Sequence, residues 1–567
     1  MNEQRNLILA VVLSAIVLFG WSLVSEHYFP PSSKVVDGKQ VPVKDKSAPV
    51  ANTPAAIKDR RVVLAESPRV AIATPRLAGS INLKGARIDD LVLTQHRETL
   101  DKKSPPVRLL SPGGAADAYF AGFGWTGDGT TLPGPDTVWT ASGGKLTPST
   151  PVTLSWDNGR GQTFQIELSI DDAYMFRVNQ RVSNRSNGAV AVRPYSFVNR
   201  AGPSKDPTSW TMHVGPVGVF NGAANYDWDY DDIAEAGDQS FSTSGGWVGF
   251  TDKYWLTAVI PDQGSHVEAA IRRGPTGSFQ TDFTPAPAIV APGRTMGYRS
   301  MFFAGAKEIE LLDRYESQLG IANLDKAIDW GWFEWFMKPI FSLLNWLYAQ
   351  IGNFGVAIIC LTIIIRTLMF PIANKQFASM ASMRVLQPKV AALQERFKDD
   401  KQRLQQETLN LYKEEKVNTL PGCLPIFLQI PVFYALYKVL SLSVEMRHKP
   451  FALWLNDLSA PDPLTPINLF GYLDFTPPSF LAIGVLAVLL GVTMWIQMRM
   501  NPPPTDPIQK QMFALMPWLM MFFFAPLAAG LQLYYVFNNL FTIAQQGWLY
   551  SRHPGMKTPL PAPAAKK

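Results

Sequence analysis

The 567-residue chain has only two cysteines, Cys360 and Cys423, and both lie in or beside apolar stretches. Residues 30–320 contain none, so no disulfide framework supports that region. The two thiols are read as small apolar packing residues. A phosphate-cradling GxxxxGK[ST] loop is also missing, so energy for any work must come from a source other than that motif. Histidine is sparse. The three in residues 60–305, His96, His213 and His266, have no local sequence partner read as a carboxylate base. No cofactor, metal or catalytic residue is expected. The net charge of +6 is modest and gives no reason to expect nucleic acid binding.

What the chain does have is a sharp split in composition. Mean hydropathy is +0.01, an average of unlike halves. Residues 30–320 have the composition of a soluble protein, whereas residues 340–550 are dominated by Leu, Ile, Met, Phe and Trp. An apolar run, Leu7–Val24, follows Arg5 and is about the length that crosses a bilayer. With no Ala-x-Ala after it, residues 1–29 are read as an uncleaved signal-anchor helix. Residues 30–59, rich in Pro, Ser, Lys, Val and Ala, are read as a flexible tether.

Residues 60–320 form the next domain. Phe164, Ile166, Leu168 and Ile170 alternate with polar residues, and Phe176 and Val178 continue the pattern. The Asn184–Gly188 turn then leads to Val190 and Val192. Period-two runs between Asn, Gly and Asp turns predict antiparallel sheets, and the length suits a large β-sandwich. Helical character begins at Lys307. Around 326–338, aromatics mixed with Lys326, Asp329, Glu334 and Lys338 predict an interfacial amphipathic helix within residues 321–353.

Five further spans are expected in residues 354–550: Phe354–Ala373, Leu424–Ser443, Phe480–Met498, Met512–Ala528 and Leu531–Leu549. The charged segment 374–417 separates the first two of these. Its Met383, Leu386, Val390, Leu393 and Phe397 form a heptad-like seam, and Leu404, Leu411 and Tyr412 mark a second amphipathic helix. An antiparallel hairpin in water, turning at Lys398–Lys401, is predicted. It carries nine Lys/Arg, against two in the 444–479 loop. This bias puts both termini and the hairpin in the cytoplasm, and the β domain outside. Residues 551–567 are then a short cytoplasmic tail.

Arg366 is the most informative residue. A charge inside a span costs about 2.5–3.5 kcal/mol on insertion scales, so it should face protein or water. No carboxylate occurs in the other spans, which are read as offering neutral polar groups. These include Gln429 and a stripe on the last span, Tyr535, Asn538, Thr542 and Gln545. Thr362 lies one turn before Arg366 on its face. The bland alternatives are a snorkelling arginine and ordinary interhelical hydrogen bonds. The set points instead to a polar, wet cavity that welcomes negative groups. Phe354–Leu361 offers no polar group but Cys360, so the cavity should open inward and close outward.

These residues carry a resemblance. Ile365-Arg366 with Met369-Phe370-Pro371, then Ser379–Arg384 and Leu386-Gln387-Pro388-Lys389, resemble the YidC family of bacterial membrane protein insertases in its six-span Gram-negative form. So do Asp399–Arg403, Lys416-Val417-Asn418, Gly422–Pro425, Gln429-Ile430-Pro431, Pro450–Trp454 with Asp457–Ser459, and Leu533-Tyr534-Tyr535 with Asn539-Leu540. The resemblance covers nearly the whole chain. It implies a polytopic α-helical membrane protein of the bacterial inner membrane, with a five-helix insertase core around a hydrophilic groove. It implies a periplasmic two-sheet sandwich related in fold alone to sugar mutarotases. Groove residues would be Thr362, Arg366, Gln429 and Tyr535, joined by Asn538 from the stripe. Partners would be client membrane proteins, the lipid bilayer and the Sec translocon, with the ribosome or signal recognition particle pathway upstream. A small-molecule transporter or channel is the competing reading, but no internal repeat supports it. A membrane-anchored sugar-binding protein would leave Arg366 and five spans unexplained.

Overall fold

The computed structural model describes residues 48–51, 57–206, 212–397, 400–415, 424–473, 475, 478, 482–501 and 507–552. The expected anchor, the tether up to residue 47, the 398–399 turn, segment 416–423 and the tail from 553 lie outside the described residues. The chain divides into two compact units, Met1–Asp329 and Trp330–Lys567.

The first unit holds an eleven-stranded and a nine-stranded sheet. Among the described strands all pairings are antiparallel except Ala71–Ile72 with Lys145–Leu146. The alternation read at Phe164–Ile170 becomes the strand Gln162–Ile170, with alternate side chains buried. It pairs with Met175–Asn184, setting Phe164 opposite Val182 and Leu168 opposite Val178. Each such side chain leaving water contributes about 1.5–3 kcal/mol. The two sheets pack face to face through Phe123 and Phe302, whose rings lie 6.3 Å apart. Gln180 on one sheet donates its fully buried Nε2 to the Gly124 carbonyl on the other at 2.8 Å.

Three expectations are corrected in this unit. Residues 48–51, read as tether, pack on the eleven-stranded sheet. The Ala51 N–H donates to Gln280 Oε1 at 2.9 Å, and Ala51 packs against Phe120 and Phe197. Asp59 caps the short helix α1 (Arg60–Ala65), so residue 59 is structured too. Secondly, the interfacial helix expected around 326–338 does not start there, because Leu324–Ala327 is a 3-10 turn, and the helical residues from Lys307 belong to the 60–320 domain as expected. After α2 (Tyr230–Ala236), α3 (Ile309–Leu319) joins the sandwich core through Ile309, Leu311, Leu312 and Tyr315. It stops at Gly320, whose φ of 67° favours glycine. Thirdly, His266 does meet a carboxylate: its Nε2 lies 3.9 Å from Glu268 Oε1, with Ser242 between them on the exposed surface. Two-residue spacing on one strand puts both side chains on one face.

His213 is half-buried with Nε2 2.7 Å from the Pro216 carbonyl, and desolvation of its ring holds its pKa below the ordinary 6.5. The unfolded chain therefore binds a proton below about pH 6.5 that the folded unit refuses, so stability falls as pH drops through that window. His213→Gln should flatten the pH dependence of thermal unfolding between pH 6.5 and 5. Asp89 and Asp282, raised by burial, act with the opposite sign, and the difference between the two proteins isolates the histidine. An unchanged slope would contradict this assignment.

The second unit is helical. Its elements are α4 (Glu334–Ile351), α5 (Phe354–Arg396), α6 (Lys401–Glu414), α7 (Leu424–Leu442), α8 (Val485–Met500), α9 (Pro507–Phe524) and α10 (Ala529–Arg552). The amphipathic helix expected within 321–353 is α4. It begins only at Glu334, because Gly331 adopts φ 68° in a preceding 3-10 turn. Met337, Ile340, Phe341, Leu344 and Leu347 make its buried stripe, while Trp335 and Trp346 remain exposed.

The span predicted to end at Ala373 continues without a break to Arg396. Ala373 and Phe377 explain this: they pack against Leu549 of α10, with Phe377 edge-on to Tyr550. The first hairpin arm is thus an extension of the span. α6 runs back antiparallel, since Lys389 pairs with Glu415 while Arg403 lies over the Phe397 ring. Leu386 and Val390 of the predicted seam are buried. Among the described residues, one stretch, Phe354–Phe377, is long and apolar enough to cross a membrane by itself. Large apolar side chains also stand exposed along α9, including Leu515, Trp518, Leu519, Phe522 and Phe523. In water such a stripe would be an aggregation surface, whereas lipid solvates it without cost.

Candidate functional site

α10 is the polar helix of the bundle. Gln532, Asn538, Asn539, Thr542 and Gln546 are all buried on it. It packs against α5, α7 and α8. Two of these side chains bond to α8 and its C-terminal flank: Asn539 Nδ2 donates to Thr493 Oγ1 at 3.1 Å, and Gln546 Nε2 to Asn501 Oδ1 at 3.0 Å. For these two, interhelical hydrogen bonding is a sufficient account.

Arg366 behaves differently. It stands on α5, three turns from the helix start, and is only partly buried. Its Nε donates to Asn538 Oδ1 at 2.8 Å and its Nη2 to the Asn538 carbonyl at 3.2 Å. The guanidinium fork therefore spans side-chain and main-chain acceptors of one residue. Both acceptors are neutral, and no carboxylate ion pair to Arg366 is found among the described residues. The same Asn538 carbonyl also accepts from Thr542 Oγ1 at 2.7 Å. Arg366 is thus held in place by neutral acceptors, with no counter-charge bonded to it among the described residues.

Thr362 is fully buried and returns its hydroxyl proton to the Ile358 carbonyl at 2.7 Å, so its hydroxyl is spent on its own helix. Gln429 of α7 donates to the Tyr534 hydroxyl at 3.0 Å. Tyr535, beside it, sits in an aromatic cluster, 5.6 Å from Phe433 and 4.6 Å from Phe524 between ring centroids. The structure thus joins Arg366 with Asn538 and links Gln429 to Tyr534. It does not bring all five expected residues into one hydrogen-bonded set. Tyr534 was not singled out from the sequence, although it precedes Tyr535 and a helix turns about 100° per residue. Gln545 of the predicted stripe has its amide nitrogen buried, with no partner among the described residues.

One reading of the spans is corrected. They do not offer only neutral groups: Lys438 lies on α7 with 2% exposure. The apolar run around it hides it from a scan for hydrophobic length.

The end of the bundle opposite the α5–α6 hairpin is tied by residues 443–464. Asn353 caps α5 and its Nδ2 donates to the Phe451 carbonyl at 2.9 Å. The Leu458 and Ala460 carbonyls accept from the Gly530 and Ala529 amides at the start of α10. Asp462 accepts from Leu464 N, Leu486 N and Trp454 Nε1. Gly355 lies directly under the Phe451 ring, where a Cβ would come within 2.0 Å of Cδ2. Glycine there lets the loop close on α5.

Residues 69–343 match the YidC periplasmic domain family, and residues 346–556 match the 60Kd inner membrane protein family. A membrane protein insertase YidC of Zymomonas mobilis is 50% identical over 97% of this chain and 96% of its own length. Another from Rhizobium meliloti is 42% identical over 99% of this chain and 97% of its own. A crystal structure of an active YidC insertase aligns with 84% of this chain and 92% of that one, at 19% identity and a TM-score of 0.37. With two family regions covering most of its length and full-length relatives at this identity, the chain belongs to the YidC family of membrane protein insertases.

Proposed function

We propose that this chain inserts client membrane proteins into the bacterial inner membrane by admitting their polar flanking segments to a groove around Arg366. Six spans would put both termini and the α5–α6 hairpin in the cytoplasm and the β-sandwich in the periplasm. Arg366, Thr362, Gln429, Tyr535 and Asn538 would line the groove, with Tyr534 added by its bond to Gln429. The carrying observation is the Arg366 guanidinium held, among the described residues, by the neutral acceptors of Asn538 within the helical bundle. A client's apolar segment gains about 25 cal/mol per Å² on leaving water, and this drives entry without nucleotide. The opposing cost is its polar tail. Arg366 lowers that cost for acidic tails, since two charges 4 Å apart attract by about 4 kcal/mol at an effective dielectric of 20, against about 1 in water. The tied loop at the far end suits a groove that does not open across the bilayer. The Sec translocon, and the ribosome or signal recognition particle pathway, would deliver some clients.

Purified protein in liposomes should insert a small single-span client while passing no solute. Solute flux without insertion would overturn the proposal in favour of a channel. Every groove and hairpin residue lies after position 350, so deleting residues 60–300 while keeping α4 should leave insertion within about twofold of the intact protein, since a few contact residues carry most binding energy and none of those proposed lies in the deleted part. Loss of insertion by a deletion protein that still accumulates would show a role for the sandwich.

The hairpin would make first contact with clients. Its nine basic and six acidic residues are interspersed, and exposed ion pairs contribute about 0–1 kcal/mol each. Single charge changes, including Lys389→Ala, should therefore be mild. Removing residues 384–412 should cut client capture sharply in a crosslinking assay. Full capture by that deletion would contradict the hairpin's role.

A further inference from the structure

Residues 463–473, between α7 and α8, contain no charged side chain. The 3-10 segment Pro466–Gly471 and the residues after it present Ile467, Leu469, Phe470, Tyr472, Leu473 and Phe475, all between 41% and 89% exposed. Large apolar side chains so displayed are unusual on a surface that meets water.

The backbone of this loop is arranged for an apolar setting. Phe470 N donates to the Thr465 carbonyl at 2.9 Å, Tyr472 N to Leu469, Leu473 N to Asn468, and Phe475 N to Leu473. The Thr465 hydroxyl donates to Asn468 Oδ1 at 2.8 Å. The main chain thus satisfies its own amides while the side chains turn outward. Irregular backbone is excluded from the hydrocarbon core, so a loop with such amides paired suits the interface level. Leu469 and Phe470 adopt φ of 51° and 60°, a region bulky side chains avoid, and this is what swings both outward. The base is fixed: Asp462 bonds to Leu464 and Leu486 on either side of the loop.

The loop sits at the bundle end away from the hairpin, and the chain runs on from it into α8. There Leu489, Val492 and Ile496 continue the exposed apolar surface. Tyrosine and phenylalanine at such a level match the aromatic belts of membrane–water interfaces. We infer that residues 466–473, which end before the charge of Asp474, form a wedge that lies in the membrane interface of the leaflet opposite the α5–α6 hairpin and anchors that end of the bundle there. The occupant of this surface is lipid. The inference rests on the membrane embedding proposed above, yet it is read without any client.

The test uses the full chain with Cys360→Ala and Cys423→Ala, reconstituted in phosphatidylethanolamine/phosphatidylglycerol vesicles. A nitroxide is attached at Tyr472→Cys, or for comparison at Asn456→Cys, an exposed position in the same loop region. Power saturation should show the Tyr472 label more accessible to oxygen than to a water-soluble nickel chelate, and the Asn456 label the reverse. Equal nickel accessibility at both sites would overturn the wedge. So would protection at Tyr472 that appears only when a client is added, since that marks a client-docking surface. Insertion by the same vesicles is measured separately, so failure of the insertase assignment and failure of the wedge give different results.

Discussion

Arg366→Glu should lower insertion of clients with acidic translocated tails by roughly ten- to hundredfold, a change of about 1.4–2.8 kcal/mol. The substitution replaces an attraction with a repulsion at the same place, and it turns a carboxylate toward Asn538, whose carbonyl also rejects it. Strongly hydrophobic clients with neutral tails should be nearly unaffected, because burial already drives them. Arg366→Ala should fall between the two. Arg366→Lys should stay within about threefold of the parent, because a point charge suffices for attraction even though lysine lacks the planar fork that reaches both Asn538 acceptors. A purely structural arginine would give a different pattern, in which lost activity follows lost folded protein and ignores client charge.

Asp462→Ala should destabilise the helical unit by about 2–4 kcal/mol, because it leaves the Leu464 and Leu486 amides and the Trp454 indole without their acceptor. Asp462→Asn should lose less, since one oxygen can still serve Leu464 and Trp454. Thermal unfolding in detergent reads both values. The surviving folded Asp462→Ala protein should keep the dependence on client charge, because Asp462 lies at the closed end, remote from Arg366. A stability close to the parent would show that the loop does not tie the helix ends as described.

Local patterns were legible where one element decides its own burial. Phe164, Ile166, Leu168 and Ile170 announced a strand because alternation and the pleat share a period of two. The α10 stripe placed Asn538 on the face that meets Arg366, since residues 535, 538 and 542 follow the helical repeat. What escaped depends on contacts distant in sequence. The docking of Ala51 on Gln280 joins residues 229 apart, and nothing in a Pro- and Ala-rich stretch signals it. The continuation of α5 past Ala373 depends on Leu549 and Tyr550, so composition alone suggested a boundary where charge begins. The bond from Gln429 to Tyr534 escaped because it joins two helices and depends on the rotation of each, which sequence spacing does not resolve.

The central claim is that clients pass beside Arg366 and not along the lipid-facing helices. Photocrosslinking probes placed at Gln429 and Tyr535, with controls at the exposed Leu515 and Phe523 of α9, test it during synthesis of a single-span client. The account predicts strong client adducts at residues 429 and 535 that weaken in an Arg366→Glu background for an acidic-tailed client, with weak adducts at 515 and 523. Adducts confined to 515 and 523, or equal at all four positions and indifferent to Arg366, would contradict it.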